Sequence, residues 1–405
     1  MVKKCKSCLC ANFLQVIDLG LQPIANNLRL PNSECPKIPL IMNLCKNCKL
    51  GQLSHFADQV IVFSDYRYQS STSKTWLEHS SSYVNLVSKR LNLTTESKII
   101  EVASNDGYLL NIFQEKKFKV LGIEPAKNIA KLSIAKGIPT ESLFLSSVNV
   151  DKVISKFGVA NLVIANNVLA HVPDIKDFAI ALKTLLHPDG IITIENPSLL
   201  RLLKDGLFDT IYHEHYSYLS LTSVISLFNS IGLEVFDVEN LETHGGSLRY
   251  WISHPGKNEI SHNLKNQLLK ENFSDSTVLL KLVHDFKTKS FTALDGLGKW
   301  INENQSNGRK LAGFGAAAKT TVVLNSLGAS SNSFVAIADN GSEKQGYLVP
   351  GTDVPIVSPK TLIELNPSDI LIFPWNLSKE ILMNIRADLK LNCNVWVWLP
   401  EMQKL

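Results

Sequence analysis

The sequence predicts an α/β protein in which two doubly wound sheets follow a small cysteine-rich unit. Short apolar runs alternate with helical patterns between residues 98 and 195, and the same alternation returns after residue 310. Such alternation is typical of βαβ units with parallel strands. Six of the seven cysteines fall within the first 48 residues, which predicts a separate unit there. At about 100–200 residues per domain, a chain of 405 residues has room for these three parts.

The cysteine-rich unit, residues 1–60, is expected to hold one structural zinc ion. It contains two Cys-x-x-Cys pairs, in which both sulfurs can turn onto one ion: Cys5 and Cys8, and Cys45 and Cys48. Four thiolates close a tetrahedral Zn²⁺ site and leave no position for a substrate. The two pairs lie farther apart than in the usual zinc ribbon, so Cys10 or Cys35 could replace one of the four ligands.

The second part, residues 61–252, is predicted to be a Rossmann-like domain with a helical lead-in over residues 61–95. Four apolar runs predict buried parallel strands, and two later runs predict strands that complete the sheet: 98–103, 120–124, 160–165, 190–195, 233–238 and 247–252. Ligands of open α/β sheets bind beyond the carboxyl ends of the strands. A binding site is therefore expected where the first of these strands ends.

The turn after the first predicted strand of this domain favours S-adenosylmethionine as the ligand. A dinucleotide fingerprint needs three glycines at this turn, and Gly107 is the one present. S-adenosylmethionine carries no pyrophosphate and does not need a phosphate-binding loop. It needs a close-approach glycine and a carboxylate near its ammonium and ribose groups. The candidates for these contacts are Glu101, Asn105, Asp106, Gly107 and Glu124.

A segment rich in histidine and tyrosine, residues 208–218, is the predicted source of a general base. His213 and His215 are two residues apart, which excludes the i, i+4 spacing of zinc proteases. In an extended stretch these histidines share one face, and Tyr212 and Glu214 share the other. An imidazole titrates near neutral pH, as removal of a proton from carbon requires. His171 follows the predicted strand 160–165 and is expected at the same rim.

Composition and charge argue against a nucleic-acid-binding protein or a membrane protein. The net charge is +4, and positive and negative residues are interspersed without a basic stripe. No apolar run reaches the ~18 residues of a membrane span, and the first residues do not resemble a signal peptide. We therefore expect a cytoplasmic protein that acts on a small molecule as a monomer or weak homo-oligomer.

These motifs together resemble those of the nucleotide-sugar C-methyltransferases, zinc-containing enzymes that methylate C3 of TDP-4-keto-deoxysugars. The resemblance covers nearly the whole chain and includes the two cysteine pairs and a series of ordered motifs: 66–71, 104–108, 122–125, 166–171, 209–215, 244–249, 313–319 and 350–352. It implies an α/β fold with a Rossmann-like class I methyltransferase domain, an N-terminal zinc-binding domain and a C-terminal Rossmann-like α/β domain. That last domain, residues 253–405, is expected to assist sugar-nucleotide binding.

The resemblance also implies roles for single residues. His215 resembles the general base that removes the proton from C3, while Tyr212 and Glu214 resemble residues that orient this base and the sugar. His171 and Tyr66 resemble groups near the developing enolate oxygen, where hydrogen-bond donors stabilise charge. The remaining matches are Pro125 and Asn166 for S-adenosylmethionine, and Asn167, His213, Arg249 and Lys319 for the nucleotide sugar. The zinc stays structural, because methyl transfer to an enolate needs no metal.

The glycine string Gly313-Phe314-Gly315-Ala316-Ala317-Ala318 leaves a second function open. It follows a predicted strand, and Asp339 ends the next one, as in a dinucleotide-binding domain. The string can be a tight strand-to-helix turn, a site for the nucleotide of the sugar, or the NAD site of an oxidoreductase. A histidine base would equally serve an O-methyltransferase on a sugar or related small molecule, so carbon as the methyl acceptor follows from the resemblance alone.

Overall fold

The computed structural model describes residues 2–59, 69–72, 74–328 and 333–405 and arranges them around three β-sheets. Tyr66 therefore lies outside the described residues. The first sheet is antiparallel and contains β1 (Phe13–Pro23), β2 (Lys37–Cys45) and β3 (Gly51–Leu53). Its fourth strand, Ser217–Tyr218, comes from the middle of the chain and pairs with β3. The predicted histidine segment is therefore attached to the N-terminal sheet.

The central sheet and its helices occupy the next part of the chain. In chain order they are α1 (Lys74–Arg90), β4 (Lys98–Val102), α2 (Tyr108–Glu115), β5 (Lys119–Ile123), α3 (Lys127–Ala135), β6 (Thr140–Glu141), α4 (Val150–Phe157), β7 (Ala160–Ile164), α5 (Ile175–Leu185), β8 (Leu186–Pro197), α6 (Leu199–Asp205), β9 (Ser217–Tyr218), α7 (Leu221–Asn229), β10 (Glu234–Leu241) and β11 (Ser247–Ser253). Two short 3-10 helices, Leu169–His171 and Phe208–Thr210, lie between them.

The strand order of the central sheet is that of a class I methyltransferase. The order is β10-β11-β8-β7-β4-β5-β6, in which β4 to β8 are parallel and β11 runs antiparallel to β8 and β10. The chain starts in the middle at β4, moves outward to β6 and returns through β7. This reversal opens a crevice beyond the carboxyl ends of β4 and β7, where ligands bind in such sheets. All six predicted strands are present, together with the two-residue β6, which the sequence pattern did not indicate.

Alternate residues of the central strands face opposite layers of helices. In β4, Ile100 packs in one core with Leu182 of α5 and Leu227 of α7. Its neighbour Ile99 packs in the opposite core with Val84 of α1. Burial of an aliphatic side chain stabilises a fold by about 1.5–3 kcal/mol, so both helical layers are held firmly on a sheet whose edge carries the polar turns.

The third sheet and its helices form the C-terminal part. In chain order the elements are α8 (His262–Glu271), α9 (Ser276–Ser306), β12 (Leu311–Phe314), α10 (Ala318–Ser326), β13 (Phe334–Ala338), β14 (Ile356–Val357), α11 (Thr361–Leu365), β15 (Asp369–Ile372), α12 (Ser378–Met383), β16 (Asn394–Val397) and β17 (Gln403–Lys404). The strand order is β14-β13-β12-β15-β16-β17, with all pairs parallel except the last. This is the second doubly wound sheet that the sequence predicts. Within the described parts of the chain, no helix combines the length and the apolar composition that crossing a bilayer requires.

Candidate active site

Four cysteine sulfurs converge at one end of the N-terminal sheet. The Sγ atoms lie within 4.8 Å of one another, and the Cys5–Cys48 and Cys8–Cys45 separations are both 3.5 Å. Zinc–sulfur bonds of about 2.3 Å place tetrahedral sulfurs ~3.8 Å apart, so the cluster has the size and donor set that zinc requires. Because all four tetrahedral positions are thiolates, an ion bound there would stabilise the fold and leave no position open for substrate.

The two Cys-x-x-Cys turns have the same backbone shape. Leu9 and Lys49 each lie four residues beyond the first cysteine of their pair and have positive φ angles of 60° and 63°. Each donates its backbone N–H to the carbonyl of that cysteine at 3.0 Å. Cys10 instead accepts a hydrogen bond from the backbone N–H of Asn12. Among the described residues, the metal-binding group contains the two predicted pairs and neither Cys10 nor Cys35.

Three buried carboxylates lie at the carboxyl ends of the neighbouring strands β4 and β5: Glu101 in β4, Asp106 in the turn between β4 and α2, and Glu124 directly after β5. Their exposed fractions are 1%, 0% and 5%. The Glu124 carboxylate accepts the backbone N–H groups of Asn105 and Ala126 at 2.9 and 2.8 Å. Burial, and then the charges of Glu124 and Asp106, raise the pKa of Glu101 well above its usual range. Such a cluster of carboxylates favours a cationic ligand.

The polar atoms at these strand ends fit S-adenosylmethionine, whose sulfonium and ammonium groups are both positive. Glu101 Oε2 and Asp106 Oδ1 are buried and have no hydrogen-bond partner among the described residues. The other oxygen of Asp106 accepts Lys136 Nζ at 2.8 Å and the hydroxyl of Ser71. Glu124, at the end of β5, keeps lone pairs for ribose hydroxyls beyond its two backbone contacts. The carboxylates expected from the sequence therefore lie close together at the carboxyl ends of β4 and β5.

Gly107 lies at the start of α2 in the left-handed region of backbone conformation. Its φ is 76°, and a Cβ built there would lie 2.6 Å from Ser133 Oγ, so glycine is required by the backbone and by packing on α3. Asn105 also has a positive φ, and its side-chain oxygen accepts the backbone N–H of Ser70 at 2.9 Å. Pro125 is half-buried beside Glu124. Residues 69–72 thus lie directly against the turn between β4 and α2, residues 103–107, which we call the cofactor turn.

Two asparagines connect the next strand end to β8. The backbone N–H of Glu195 donates to Asn166 Oδ1 at 3.1 Å, and the backbone N–H of Asn167 donates to the carbonyl of Glu195 at 2.7 Å. Both asparagines are partly exposed at the carboxyl edge of the sheet. They are therefore accessible to the ligands with which the sequence associates them.

The histidine segment is a turn and not the extended stretch that the sequence suggests. α6 ends at Asp205 and is capped by Gly206 in the left-handed region, and a capping box at Ser220 begins α7, so both ends of the segment are fixed. The backbone N–H of His215 donates to the carbonyl of Tyr212 at 2.9 Å, which closes a β-turn. Residues three apart are neighbours in such a turn. The Tyr212 hydroxyl and His215 Nε2 accordingly lie 3.0 Å apart.

One backbone carbonyl fixes the tautomer of His215. Nδ1 lies 2.8 Å from the carbonyl of Thr210, and a carbonyl can only accept, so the proton is on Nδ1. Nε2 then carries the lone pair and accepts the hydroxyl of Tyr212. The ring is partly exposed. His215 thus presents a basic nitrogen, held by a tyrosine, on the accessible side of the turn.

His171 lies beside His215, with ring centroids 4.7 Å apart. Its Nδ1 donates to the carbonyl of Glu214 at 2.8 Å. Burial lowers the pKa of His171 to about 4, so the ring is neutral near pH 7. The expected role as a donor to an enolate oxygen needs a proton on Nε2, whereas this geometry places it on Nδ1. His171 follows β7, the strand next to β4, so the histidines and the cofactor turn occupy the same edge of the sheet.

Glu214 and His213 face the N-terminal domain. Glu214 is 2% exposed, and its carboxylate accepts the backbone N–H of Asn26 at 2.9 Å. Burial raises the pKa of Glu214, and this hydrogen bond partly offsets the rise. His213 is completely buried; burial lowers its pKa, and the backbone of Pro39 and Pro23 partly opposes that shift. This burial does not fit the substrate contact expected of His213, because a turn sends neighbouring side chains in different directions.

Arg249 is also placed away from an accessible ligand. It is 4% exposed on β11 and pairs with Glu195 at 2.6 Å and with Glu239. Glu195 is also bound by His79 of α1 at 2.8 Å. The sequence pattern did not indicate the roles of Glu195 and His79, although an acidic residue near the end of a strand, as at Glu195, is a usable signal. The structure therefore places Arg249 in a buried ion network, and its expected substrate contact stays a prediction.

Lys319 joins the histidine segment to the C-terminal domain. Its Nζ is 3.9 Å from the carboxylate of Asp209, 3.2 Å from Asn376 Oδ1 and 4.5 Å from the centroid of the Trp375 ring. Burial lowers the pKa of Lys319, and Asp209 opposes that shift. Its side chain is 17% exposed. Lys319 is thus a cation available to an anionic ligand next to the histidine segment.

The glycine string before Lys319 does not leave its backbone open for a dinucleotide. The Asp339 carboxylate accepts the backbone N–H groups of Ala316 and Gly341, both at 2.8 Å. In an NAD site, the backbone N–H groups of this turn would bind the pyrophosphate and the acidic residue would bind a ribose. A Cβ on Gly315 would also lie 2.4 Å from Pro374. The string is therefore a tight strand-to-helix turn in which Asp339 binds the backbone N–H of Ala316. This arrangement argues against the oxidoreductase alternative.

Three family models match consecutive parts of the chain. Residues 5–63 match the model described as "Putative zinc binding domain", residues 76–238 match "Methyltransferase domain", and residues 242–400 match "C-methyltransferase C-terminal domain". Among curated proteins, the C-methyltransferase NovU of Streptomyces niveus is 29% identical over 403 residues, which cover 99% of this chain and 96% of the relative.

Solved structures with a similar course of the chain cover about half of it. Magnesium protoporphyrin IX methyltransferase from Synechocystis PCC 6803 with bound SAM is 12% identical, covers 50% of this chain and 99% of its own, and has a TM-score of 0.35. The PH0226 protein of Pyrococcus horikoshii OT3 is 13% identical, covers 49% and 100%, and has a TM-score of 0.37. The strand order of the central sheet, and not these scores, identifies the fold.

Proposed function

The chain is an S-adenosylmethionine-dependent C-methyltransferase with a structural zinc domain, and from that premise we propose that it methylates C3 of a nucleotide-linked 4-keto-deoxysugar. The relative NovU spans the whole chain and is named a C-methyltransferase. The observation that supports the proposal most strongly is the position of His215. Its basic nitrogen lies at the same sheet edge as the carboxylates at the ends of β4 and β5.

The cofactor is held, in this proposal, by Glu101, Asp106 and Glu124, with Asn105 and Asn166 at the rim. Two of these carboxylates have buried oxygens without a partner among the described residues. A cationic ligand would lower the cost of their burial. When bound, S-adenosylmethionine supplies the electrophilic methyl group that the substrate carbon receives.

The protein's own residues prepare that carbon. The 4-keto group acidifies the hydrogen on C3, and Nε2 of His215 accepts this proton while the electrons of the C–H bond move toward the ketone. The resulting imidazolium is stabilised by its Nδ1–H bond to the carbonyl of Thr210. Tyr212, displaced from Nε2, keeps a hydroxyl donor beside the forming enolate oxygen. His171 is neutral and lies beside this pair.

The C-terminal domain supplies the contact to the nucleotide in this proposal. Lys319 is partly exposed and lies beside Asn376, and its charge suits a diphosphate.

The cysteine cluster supports the cytoplasmic location that the sequence suggests. Thiol ligands remain bound to zinc most readily in a reducing compartment.

Transfer of a labelled methyl group tests the proposed reaction. The protein is incubated with a panel of TDP-4-keto-deoxysugars and methyl-¹³C S-adenosylmethionine, and the label is located by NMR. We expect one sugar to acquire the label on C3. A label on oxygen would show an O-methyltransferase, and absence of transfer to every sugar in the panel would refute the substrate class.

A further inference from the structure

The carboxylate of Asp209 is buried between two parts of the chain. Asp209 is 0% exposed, and its Oδ2 accepts Trp375 Nε1 at 2.8 Å. The same oxygen lies 3.9 Å from Lys319 Nζ. Both partners belong to the C-terminal part, whereas Asp209 lies in the 3-10 helix Phe208–Thr210 before the histidine turn. This contact therefore links the C-terminal sheet to the segment that carries the base.

Asp209 adjoins the residue that sets the tautomer of His215. The carbonyl of Thr210 accepts Nδ1–H of His215, and the Thr210 hydroxyl donates to the carbonyl of Leu207 at 2.8 Å. The direction of the Thr210 carbonyl depends on how the short helix is held. A 3-10 helix of one turn has few hydrogen bonds of its own, so contacts outside it must hold it in place.

Burial and the neighbours of Asp209 act in opposite directions on its carboxylate, and burial has the larger effect on its pKa. Burial raises its pKa, and Lys319, Trp375 and the backbone N–H groups of Asp209 and Thr210 act in the opposite direction. Trp375 itself is held from the other side, because a Cβ on Gly245 would lie 2.6 Å from its ring. A buried ion pair often adds little stability over apolar residues of equal size. Its position beside the base suggests a different contribution.

We propose that Asp209 is a positioning residue: anchored by Trp375 and Lys319, it holds the Phe208–Thr210 helix so that the Thr210 carbonyl keeps the proton of His215 on Nδ1. Asp209 does not touch the substrate and acts through Thr210. The C-terminal domain then contributes to the chemistry as well as to binding, because it orients the base. Without this anchor the carbonyl turns away, and Nε2 becomes protonated in a fraction of the molecules.

The histidine tautomer can be measured directly, without any sugar. Long-range ¹H–¹⁵N spectra of the full-length protein separate Nδ1–H from Nε2–H imidazoles, and His215→Asn identifies the signal of His215. We expect the Nδ1–H form in the wild type. In Asp209→Asn, which keeps an acceptor for Trp375 but loses the charge that pairs with Lys319, we expect a measurable fraction of the Nε2–H form. Asp285→Asn, which removes an exposed aspartate paired with Lys281 on α9, is the matched control and should change nothing.

A second variant keeps the test decisive if Asp209→Asn does not fold. Trp375→Phe removes the hydrogen bond to Asp209 and leaves the ring, and the same tautomer shift is expected. Binding of S-adenosylmethionine should stay within twofold of the wild-type value in both variants. Unchanged tautomer signals in folded Asp209→Asn or Trp375→Phe protein would overturn the proposal. Because the spectra need no substrate, that result would leave the proposed sugar methylation untouched.

Discussion

His215 shows how a single carbonyl can determine the chemistry of a side chain. The Thr210 carbonyl holds the proton on Nδ1, so Nε2 remains a base, and Tyr212 lies against that nitrogen at 3.0 Å. The neighbouring His171, whose ring centroid lies 4.7 Å from that of His215, donates its Nδ1–H to the carbonyl of Glu214. Two imidazoles therefore lie side by side with Nδ1 on a backbone carbonyl, and Nε2 of His215 also contacts the Tyr212 hydroxyl.

The partly buried His171 should make stability depend on pH. Burial lowers its pKa from 6.5 to about 4. Between pH 6.5 and 4 the unfolded chain binds a proton at His171 that the folded protein does not, so folding loses stability as the pH falls through this window. The full loss is about 3 kcal/mol. Denaturant unfolding at pH 7.5, 6 and 5 should therefore show a shallower pH dependence for His171→Gln than for the wild type. Identical slopes would show that His171 is not buried as a neutral ring.

For single residues, the sequence predicted which side chains lie at the site better than it predicted how they are arranged. His171, Tyr212 and His215 were expected at one site and are found together. The extended geometry was wrong, because a turn closed by the backbone of Tyr212 and His215 carries no glycine or proline to signal it. The buried side of that turn, with His213, could not be predicted either.

At the scale of elements, β11 and helix α1 share a buried ion network. Arg249 pairs with Glu195 and Glu239, its guanidinium lies 4.8 Å from the centroid of the Tyr83 ring, and His79 also binds Glu195. The network joins α1 to β8 and β11. Residues 69–72, which precede α1, lie against the cofactor turn. The function of the network is to hold elements together.

Removal of Arg249 should therefore affect stability and not substrate affinity. Arg249→Met leaves Glu195, whose side chain is 1% exposed, without its arginine partner. Breaking a buried pair in this way costs about 3–5 kcal/mol. Denaturant unfolding should show that loss, whereas Arg201→Met, which breaks a surface pair with Asp205, should cost at most about 1 kcal/mol. If Arg249→Met is instead as stable as the wild type and has a tenfold higher KM for the sugar, Arg249 contacts the substrate, as the sequence predicts.

Elements were predictable where apolar runs were long and bounded. β4, β5, β7 and β8 lie where the pattern placed them. β11, Ser247–Ser253, is buried at every position, so its pattern does not reveal that Arg249 faces a carboxylate and not a ligand. The two-residue β6 is too short to produce a pattern at all.

At the scale of the whole molecule, three parts of the chain meet around the histidine turn. The backbone of Asn26 caps Glu214, and the Thr321 hydroxyl of α10 donates to the carbonyl of Ala25 at 2.9 Å. Asp209 contacts Trp375 from the other side. The zinc domain therefore supports the site through its β1–β2 connection, although its four cysteines leave no ligand position open for a substrate.

Metal analysis tests the zinc site. Protein purified without chelator should contain about one zinc per chain. Cys45→Ser should lose the metal and lower the melting temperature, because it removes one of four ligands and with it the support of the first sheet. Cys10→Ser and Cys35→Ser should retain the metal. Loss of zinc in either of those controls would mean that the ligand set differs from the two pairs.

The contacts between the three parts could not be predicted from the sequence. Asn26 and Glu214 are separated by 188 positions, and neither lies in a pattern that refers to the other. The cysteine pairs and the carboxylates at the ends of β4 and β5 could be predicted, because spacing and strand ends constrain each of them locally. Long-range packing has no such local signal.

Hydrogen exchange at C3 tests most directly whether His215 generates an enolate. The protein is incubated in D₂O with a TDP-4-keto-deoxysugar and S-adenosylhomocysteine, so that the base can act but no methyl group can be transferred. We expect NMR to show deuterium entering C3 far faster than without enzyme, and His215→Asn to lose this exchange by about 10²–10⁴-fold while it still binds S-adenosylmethionine. His284→Asn, which changes an exposed histidine of α9, should exchange normally. Exchange that persists in His215→Asn, or is absent from the wild type with a sugar that it methylates, would contradict the account.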